Sequence, residues 1–173
     1  MADGEPVNGN SRDDVVWLAH AQQDAWRAFL VGSTLLMDRL DRDLREEHGI
    51  SLVEYEILVR LSEAPRRRLR MAGLAHALCH SRSRVTHTIS RMEKVGLVER
   101  DQCQDDGRGI EAVLTDRGYT TLVAAAPTHV SGVRECLVDV AEADDLAGVG
   151  RVFGAVADNL ASVENAELRS IRP

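Results

Sequence analysis

Residues 81–94 read Ser-Arg-Ser-Arg-Val-Thr-His-Thr-Ile-Ser-Arg-Met-Glu-Lys, a run mixing hydroxyls, cations and one imidazole with apolar side chains. At about 100° per residue on a helix, Val85, Ile89 and Met92 share one face. Ser83, Arg84, His87, Ser90, Arg91 and Lys94 share the opposite one. One side is hydrocarbon for a core, and the other is hydrogen-bond donors and positive charge, the chemistry of polyanion binding. A helix about 10–12 Å across fits a DNA major groove about 12 Å wide. Ser81, Arg82, Ser83 and Arg84 stand at the helix start, where free N–H groups and the macrodipole also favour phosphate. His87, Ser90 and Arg91 fall where base edges would lie, and an arginine gripping guanine O6 and N7 discriminates by roughly 1–3 kcal/mol. Thr86 and the serines can bond bases or phosphates, so they specify less. The plain alternative is a solvated helix face, but this face is almost free of acids in a chain rich in them.

A second cation, Arg108, stands between Gly107 and Gly109 in a flexible turn suited to a narrow minor groove. Asp106 could orient its guanidinium, or simply pair with it in a loop salt bridge of little energetic value.

The elements that must position these residues follow from periodicity. Apolar residues at three- and four-residue spacings predict a long helix over residues 12–48, including Trp17, Leu18, Ala21, Ala25 and Phe29, bent at Gly32 and ended by Gly49. Its length suggests that part of it packs on another chain. Ser51 with Glu54 three residues later forms a capping box for a second helix, broken at Ala64-Pro65. A short helix over residues 71–80 precedes the cationic one, which Gly96 stops. The period then changes to two, predicting strands over residues 97–103 and 110–114. Thr115 caps a fifth helix, which Pro127 must kink or loosen. In a last helix over residues 142–168, Leu146, Val149, Phe153, Val156, Leu160 and Val163 recur at alternating spacings of three and four. Such a seam packs along another helix, either in its own domain or on a twin chain.

Composition bounds the rest. The 173 residues suffice for one compact domain with an extension, and aromatics at 3% leave a core of Leu, Val and Ala, which favours helices. The net charge of −7 alone argues against nucleic acid. Yet residues 65–108 carry ten Arg or Lys against five acids, a basic middle between acidic flanks. No apolar stretch is long enough to span a membrane, the acidic, Gly-rich start does not read as a signal peptide, and three scattered cysteines fit a reducing cytoplasm.

The run from Ser81 to Arg100, then Asp106-Gly-Arg-Gly and Ala112-Val-Leu-Thr-Asp-Arg-Gly, resembles the MarR (multiple antibiotic resistance regulator) family from about Val16 to Leu160. The resemblance implies a mainly α fold with a small β-wing: a winged helix-turn-helix lobe plus N- and C-terminal dimerisation helices. It implies a disordered tail over residues 1–11, a first dimerisation helix over 12–48, and the DNA-binding lobe over 49–114. Dimerisation helices over 115–168 and a tail over 169–173 complete the chain. Trp17, Leu18, Leu146, Val149, Phe153, Val156 and Leu160 would form the dimer contact. The implied partners are a pseudo-palindromic double-stranded DNA, a second copy of the chain, and a small organic effector. Where such regulators hold an effector between lobe and dimerisation helices, His20, Trp26 and Tyr55 could line the crevice, although core packing explains Trp26 and Tyr55 as well. Many relatives have arginine at His87, which leaves the base preference there open.

Other chemistry fares worse. His76 and His80, with Cys79 and His87 nearby, could suggest zinc, but they straddle a turn and have no Cys-x-x-Cys partner, so neither metal nor cofactor is expected. Cys103 reads as exposed and near arginines, the one candidate for thiol sensing. No phosphate loop, nucleophile elbow or framed carboxylate pair marks an enzyme.

Overall fold

The computed structural model describes residues 15–103 and 109–170. The chain separates into two units, Met1–Leu35 and Leu36–Pro173. The first long helix, α1 (His20–His48), runs through the boundary between them.

In the first unit the described residues before His20 are not helical, so Trp17 and Leu18 precede α1 rather than lying on it as the periodicity suggested. Local side-chain bonds replace the helical ones there. The Ala19 N–H donates to Gln22 Oε1 at 2.8 Å, and the Gln23 amide donates to Leu18 O at 3.0 Å. The helix continues without a break through Gly32. Trp26 and Phe29 pack ring against ring at 5.6 Å, and both stay exposed along with Trp17 and Leu35.

In the second unit, α2 (Leu52–Glu63) starts where the sequence placed it. Ser51 accepts from Glu54 N, and the Glu54 carboxylate accepts from Ser51 N at 2.8 Å, closing the capping box. Pro65–Arg67 form a single tight turn, and β1 (Arg68–Arg70) follows. That strand was not foreseen, because three residues reading Arg-Leu-Arg carry too short an alternation. It pairs antiparallel with β3, Leu69 opposite Ala112, so the sheet has three strands ordered β1-β3-β2. Arg68 is spent here, its Nη1 lying 3.5 Å from Asp101 Oδ2 and 3.4 Å from Glu111 Oε2.

The helical pair is α3 (Met71–Ala77) and α4 (Arg82–Lys94). Gly96, at φ +73, turns the chain into β2 (Val98–Gln102), which returns as β3 (Ile110–Leu114). Thr115 ties the hairpin to α5 (Asp116–Val133), since its hydroxyl donates to Leu97 O at 3.0 Å and accepts from Gly118 N at 2.9 Å. Gly118 is required at that junction: a Cβ there would sit 2.1 Å from Leu97 O. Helix α5 stays helical across Pro127, and the widened turn comes later, at Arg134–Val138. Thr128, beside the proline, donates to Glu47 at 2.7 Å and accepts from His48 Nε2 at 2.8 Å, joining α5 to the end of α1.

Leu40, Leu44, Ile57, Leu58, Leu61, Leu74, Val85, Ile89, Met92 and Val98 are the heart of one continuous core. Burying each is worth about 1.5–3 kcal/mol, so this cluster is what fixes α3, α4 and the sheet into a single body. The last helix, α6 (Ala143–Ser170), contributes no described residue to that core. Val149, Phe153, Val156 and Leu160 are all exposed, as an unburied apolar stripe.

Candidate nucleic-acid interface

Helix α4 is built as its spacing predicted. Ser81 caps it, its hydroxyl accepting from Arg84 N at 3.3 Å, and Val85, Ile89 and Met92 are fully buried against the core. Thr88 is also buried and returns its hydroxyl to Arg84 O at 3.0 Å, which satisfies it within the helix. With that inner face fixed, Ser81, Arg82, Ser83, Arg84, Thr86, His87, Arg91 and Lys94 point to solvent. The Ser81 and Ser83 hydroxyls lie 3.3 Å apart, so the cap serves the helix before any outside partner.

Two of the expected outer-face residues are engaged by neighbouring elements. Arg91 donates from Nε to Glu54 Oε1 at 2.9 Å, although half of its side chain remains exposed (52%). Glu54 itself is buried, and it is the residue that closes the α2 capping box. Burial alone would raise its carboxyl, but the Ser51 backbone N–H, the Ser51 hydroxyl and the Arg91 guanidinium outweigh that and hold it below the usual range. Ser90 is half-buried, and its hydroxyl accepts from Arg100 Nη2 on β2 at 3.0 Å.

The sequence identified Glu54 as a cap but not its second task, because a contact spanning 37 residues leaves no local signal. Arg100 was missed for a similar reason: its pairing with Glu93 and Ser90 depends on the sheet register. Arg108 and Asp106 lie outside the described residues.

A groove of about 800 Å³ runs beside α4, lined by Arg45, Arg84, His87 and Arg91 together with Asp41 and Ser51. Its chemistry is that of a cationic cleft. The N-terminus of α2 opens on it, and the Leu52 N–H is already taken by Asp41 Oδ1 at 2.8 Å, with Arg45 holding Asp41 at 2.6 Å.

The remaining candidates are placed as follows. Tyr55 is buried and stacks on His129 at 4.5 Å, at the edge of a separate cleft of about 360 Å³ between α2, the end of α3 and α5. Burial pushes the Tyr55 hydroxyl up and the His129 imidazole down, the latter against an opposing pull from Glu56. In the first unit, His20 pairs with Asp24 at 3.3 Å on an exposed face, and Trp26 is half-exposed. Cys103 is a correction: it is buried, with Sγ 3.6 Å from Glu111 Oε1 and its N–H bonded to Gly109 O at 2.8 Å. Gly109 and Glu111 are its neighbours across the hairpin, and the exposed thiol is Cys79 instead. Among the described residues no three His, Cys, Asp or Glu converge as a metal set, and no helix is long and apolar enough to cross a membrane.

Comparison with known proteins gives this geometry its setting. The MarR family model matches residues 50–110, from two residues before α2 to the first residue of β3. The crystal structure of AbsC, a MarR family transcriptional regulator from Streptomyces coelicolor, is 40% identical with a TM-score of 0.81, covering 86% of this chain and 99% of that one. Sco3205, a MarR family transcriptional regulator from the same organism crystallised in complex with DNA, is 42% identical with a TM-score of 0.81, covering 83% of this chain and 94% of its own. The HTH-type transcriptional regulator PecS of Dickeya dadantii (strain 3937) is 27% identical over 114 residues, 63% of this chain and 66% of PecS. With two-fifths identity held over nearly the full length of a solved relative and the same three-stranded winged lobe, the chain belongs to the MarR family of transcriptional regulators.

Proposed function

We propose that the protein is a sequence-specific double-stranded DNA binder that acts as a homodimeric repressor and is released by a small organic effector. The observation that carries the reading is α4: a helix with its hydrocarbon face sealed in the core and a cationic, hydroxyl-rich face turned outward. The Sco3205 relative crystallised with DNA supports it.

In this reading Arg82, Ser83 and Arg84 meet phosphates near the α4 N-terminus, and Thr86, His87, Arg91 and Lys94 face the major groove. Arg108 would reach the minor groove. Ser90 shares that face: its hydroxyl accepts from Arg100 Nη2 and keeps its own proton to donate to a base or phosphate.

The second copy is argued from α6. A helix whose described residues Val149, Phe153, Val156 and Leu160 recur at heptad spacing and stay exposed has an apolar seam to cover, and a twin helix covers it with the same residues. Leu146, on the same helix, would extend that contact. Two lobes held this way would read half-sites about one helical turn apart. For the effector, Tyr55 is the proposed lining residue, at the edge of the cleft that it shares with His129 and Leu78 in the second unit. A ligand releases DNA only if it binds the DNA-incompetent arrangement better.

The test is fluorescence anisotropy with duplexes selected from a random pool, alongside mass measurement in solution. The expected result is a dimer that binds with affinity falling steeply as salt rises. Arg82→Ala with Arg84→Ala should weaken binding to every duplex while circular dichroism stays unchanged. A chain that ignores duplex DNA in dilute buffer would be a winged-helix module for protein contacts instead.

A further inference from the structure

We propose that Glu54 is a positioning residue that sets base preference through Arg91 without itself touching DNA. The inference rests on the reading that α4 faces a duplex. What the geometry adds is the device that aims one of its arginines.

The Glu54 carboxylate divides its two oxygens between two helices. Oε2 accepts from the Ser51 N–H and the Ser51 hydroxyl, both at 2.8 Å, which fixes it to the start of α2. Oε1 accepts from Arg91 Nε at 2.9 Å on α4. The carboxylate cannot drift: it is buried, Leu52 and Tyr55 beside it are buried, and Asp41 ties down the Leu52 N–H from α1 at 2.8 Å. Arg91 has many rotamers, and anchoring Nε removes most of them before any partner arrives. The contact engages Nε and leaves the Nη1–Nη2 fork as the edge for an outside acceptor pair, such as guanine O6 and N7. A pre-aimed fork loses less entropy on binding and tolerates fewer bases than a mobile one.

An alternative assignment of the same pair is purely structural, as a tie between α2 and α4. The two differ in what Glu54→Gln does. A carboxamide oxygen can still accept from Ser51, so the cap survives, but a neutral group replaces the anion that holds Arg91.

The experiment compares the wild type, Glu54→Gln, Arg91→Ala and the double variant by anisotropy. The probe is a duplex that the wild type selects from a random pool, together with its single-base-pair variants. Arg91→Gln stands in if Arg91→Ala fails to fold. The expected result is one base-pair position where the Arg91 variant loses all preference. At that position Glu54→Gln loses on the order of tenfold in discrimination, keeps its preference elsewhere, and adds nothing once Arg91 is gone. Undiminished preference in Glu54→Gln overturns the proposal. So does an equal loss at every position, an Arg91 variant that alters no base preference, or a Glu54 effect that persists without Arg91. A wild type that selects no sequence defeats the DNA reading itself, and the proposal with it.

Discussion

Arg100 on β2 donates from Nη2 to the Ser90 hydroxyl on α4 at 3.0 Å, and from Nε to Glu93 Oε2 at 2.9 Å, so the wing is laced to the helix it flanks. Arg100→Ala should leave the thermal midpoint nearly unchanged, since exposed ion pairs contribute little to folding. The β2 amides should nevertheless exchange faster with deuterium, and DNA binding should weaken several-fold. Ser90→Ala should reproduce both effects in smaller measure. Unaltered exchange in β2 would mean the contact does not restrain the wing.

Two glycines make opposite predictions. At Gly118 a Cβ would lie 2.1 Å from Leu97 O and 2.7 Å from Leu114 Cδ1, and the carbonyl is held by Thr115. Gly118→Ala should cost about 3 kcal/mol, the upper end for overpacking. At Gly73, inside α3, nothing lies within 4 Å of the added methyl. Gly73→Ala should therefore stabilise by about 0.5–1 kcal/mol. Chemical denaturation of both variants checks the pair.

Acid should destabilise the protein first through His129. Burial lowers its folded-state pKa below the ordinary imidazole value of 6.5, so beneath that pH the unfolded chain takes up a proton that the folded chain resists. The stability His129 permits is whole above 6.5 and erodes as pH falls toward its folded value. Glu54 and Asp41 act in a lower window: their depressed pKa values mean stability lost as pH falls below the ordinary carboxyl values of 4.5 and 3.8. His129→Gln should flatten the stability profile between neutrality and mild acid without touching the lower fall. Denaturant midpoints measured across that range read both.

Thiol labelling should separate the cysteines by burial. Cys79 is exposed, Cys136 half-buried and Cys103 buried, so a maleimide should modify them in that order. Cys103 should react only at a rate set by opening of the hairpin. Prompt labelling of Cys103 would contradict its burial beside Glu111.

What could be read from the sequence was local. Ser51 with Glu54, Ser81, Thr115 and the stops at Gly49 and Gly96 are all interactions within a few residues, and each appears where the spacing put it. The Leu-Thr-x-x-Gly motif at residues 114–118 was recognisable as a pattern, and the reason for its glycine emerges only when Leu97 O arrives from the other side of the hairpin. What escaped was nonlocal. Strand β1 exists because β3 offers it an edge; Arg91 and Ser90 found partners on α2 and β2; and Cys103 turned inward once the sheet register fixed its side. The helix expected from residue 12 lost its described start to side-chain bonds at Ala19 and Leu18, which periodicity does not sense.

Arg70, the last residue of β1, is also the N-cap of α3. No linker separates strand from helix, and the strand is itself bonded into the wing hairpin. The reading head therefore has no internal hinge on that side: tilting the hairpin drags α3, and α3 drags α4 through their shared core. Adjusting the grip on a duplex then means carrying the whole lobe as one piece about joints elsewhere, as a key is turned by its bow rather than by bending its teeth.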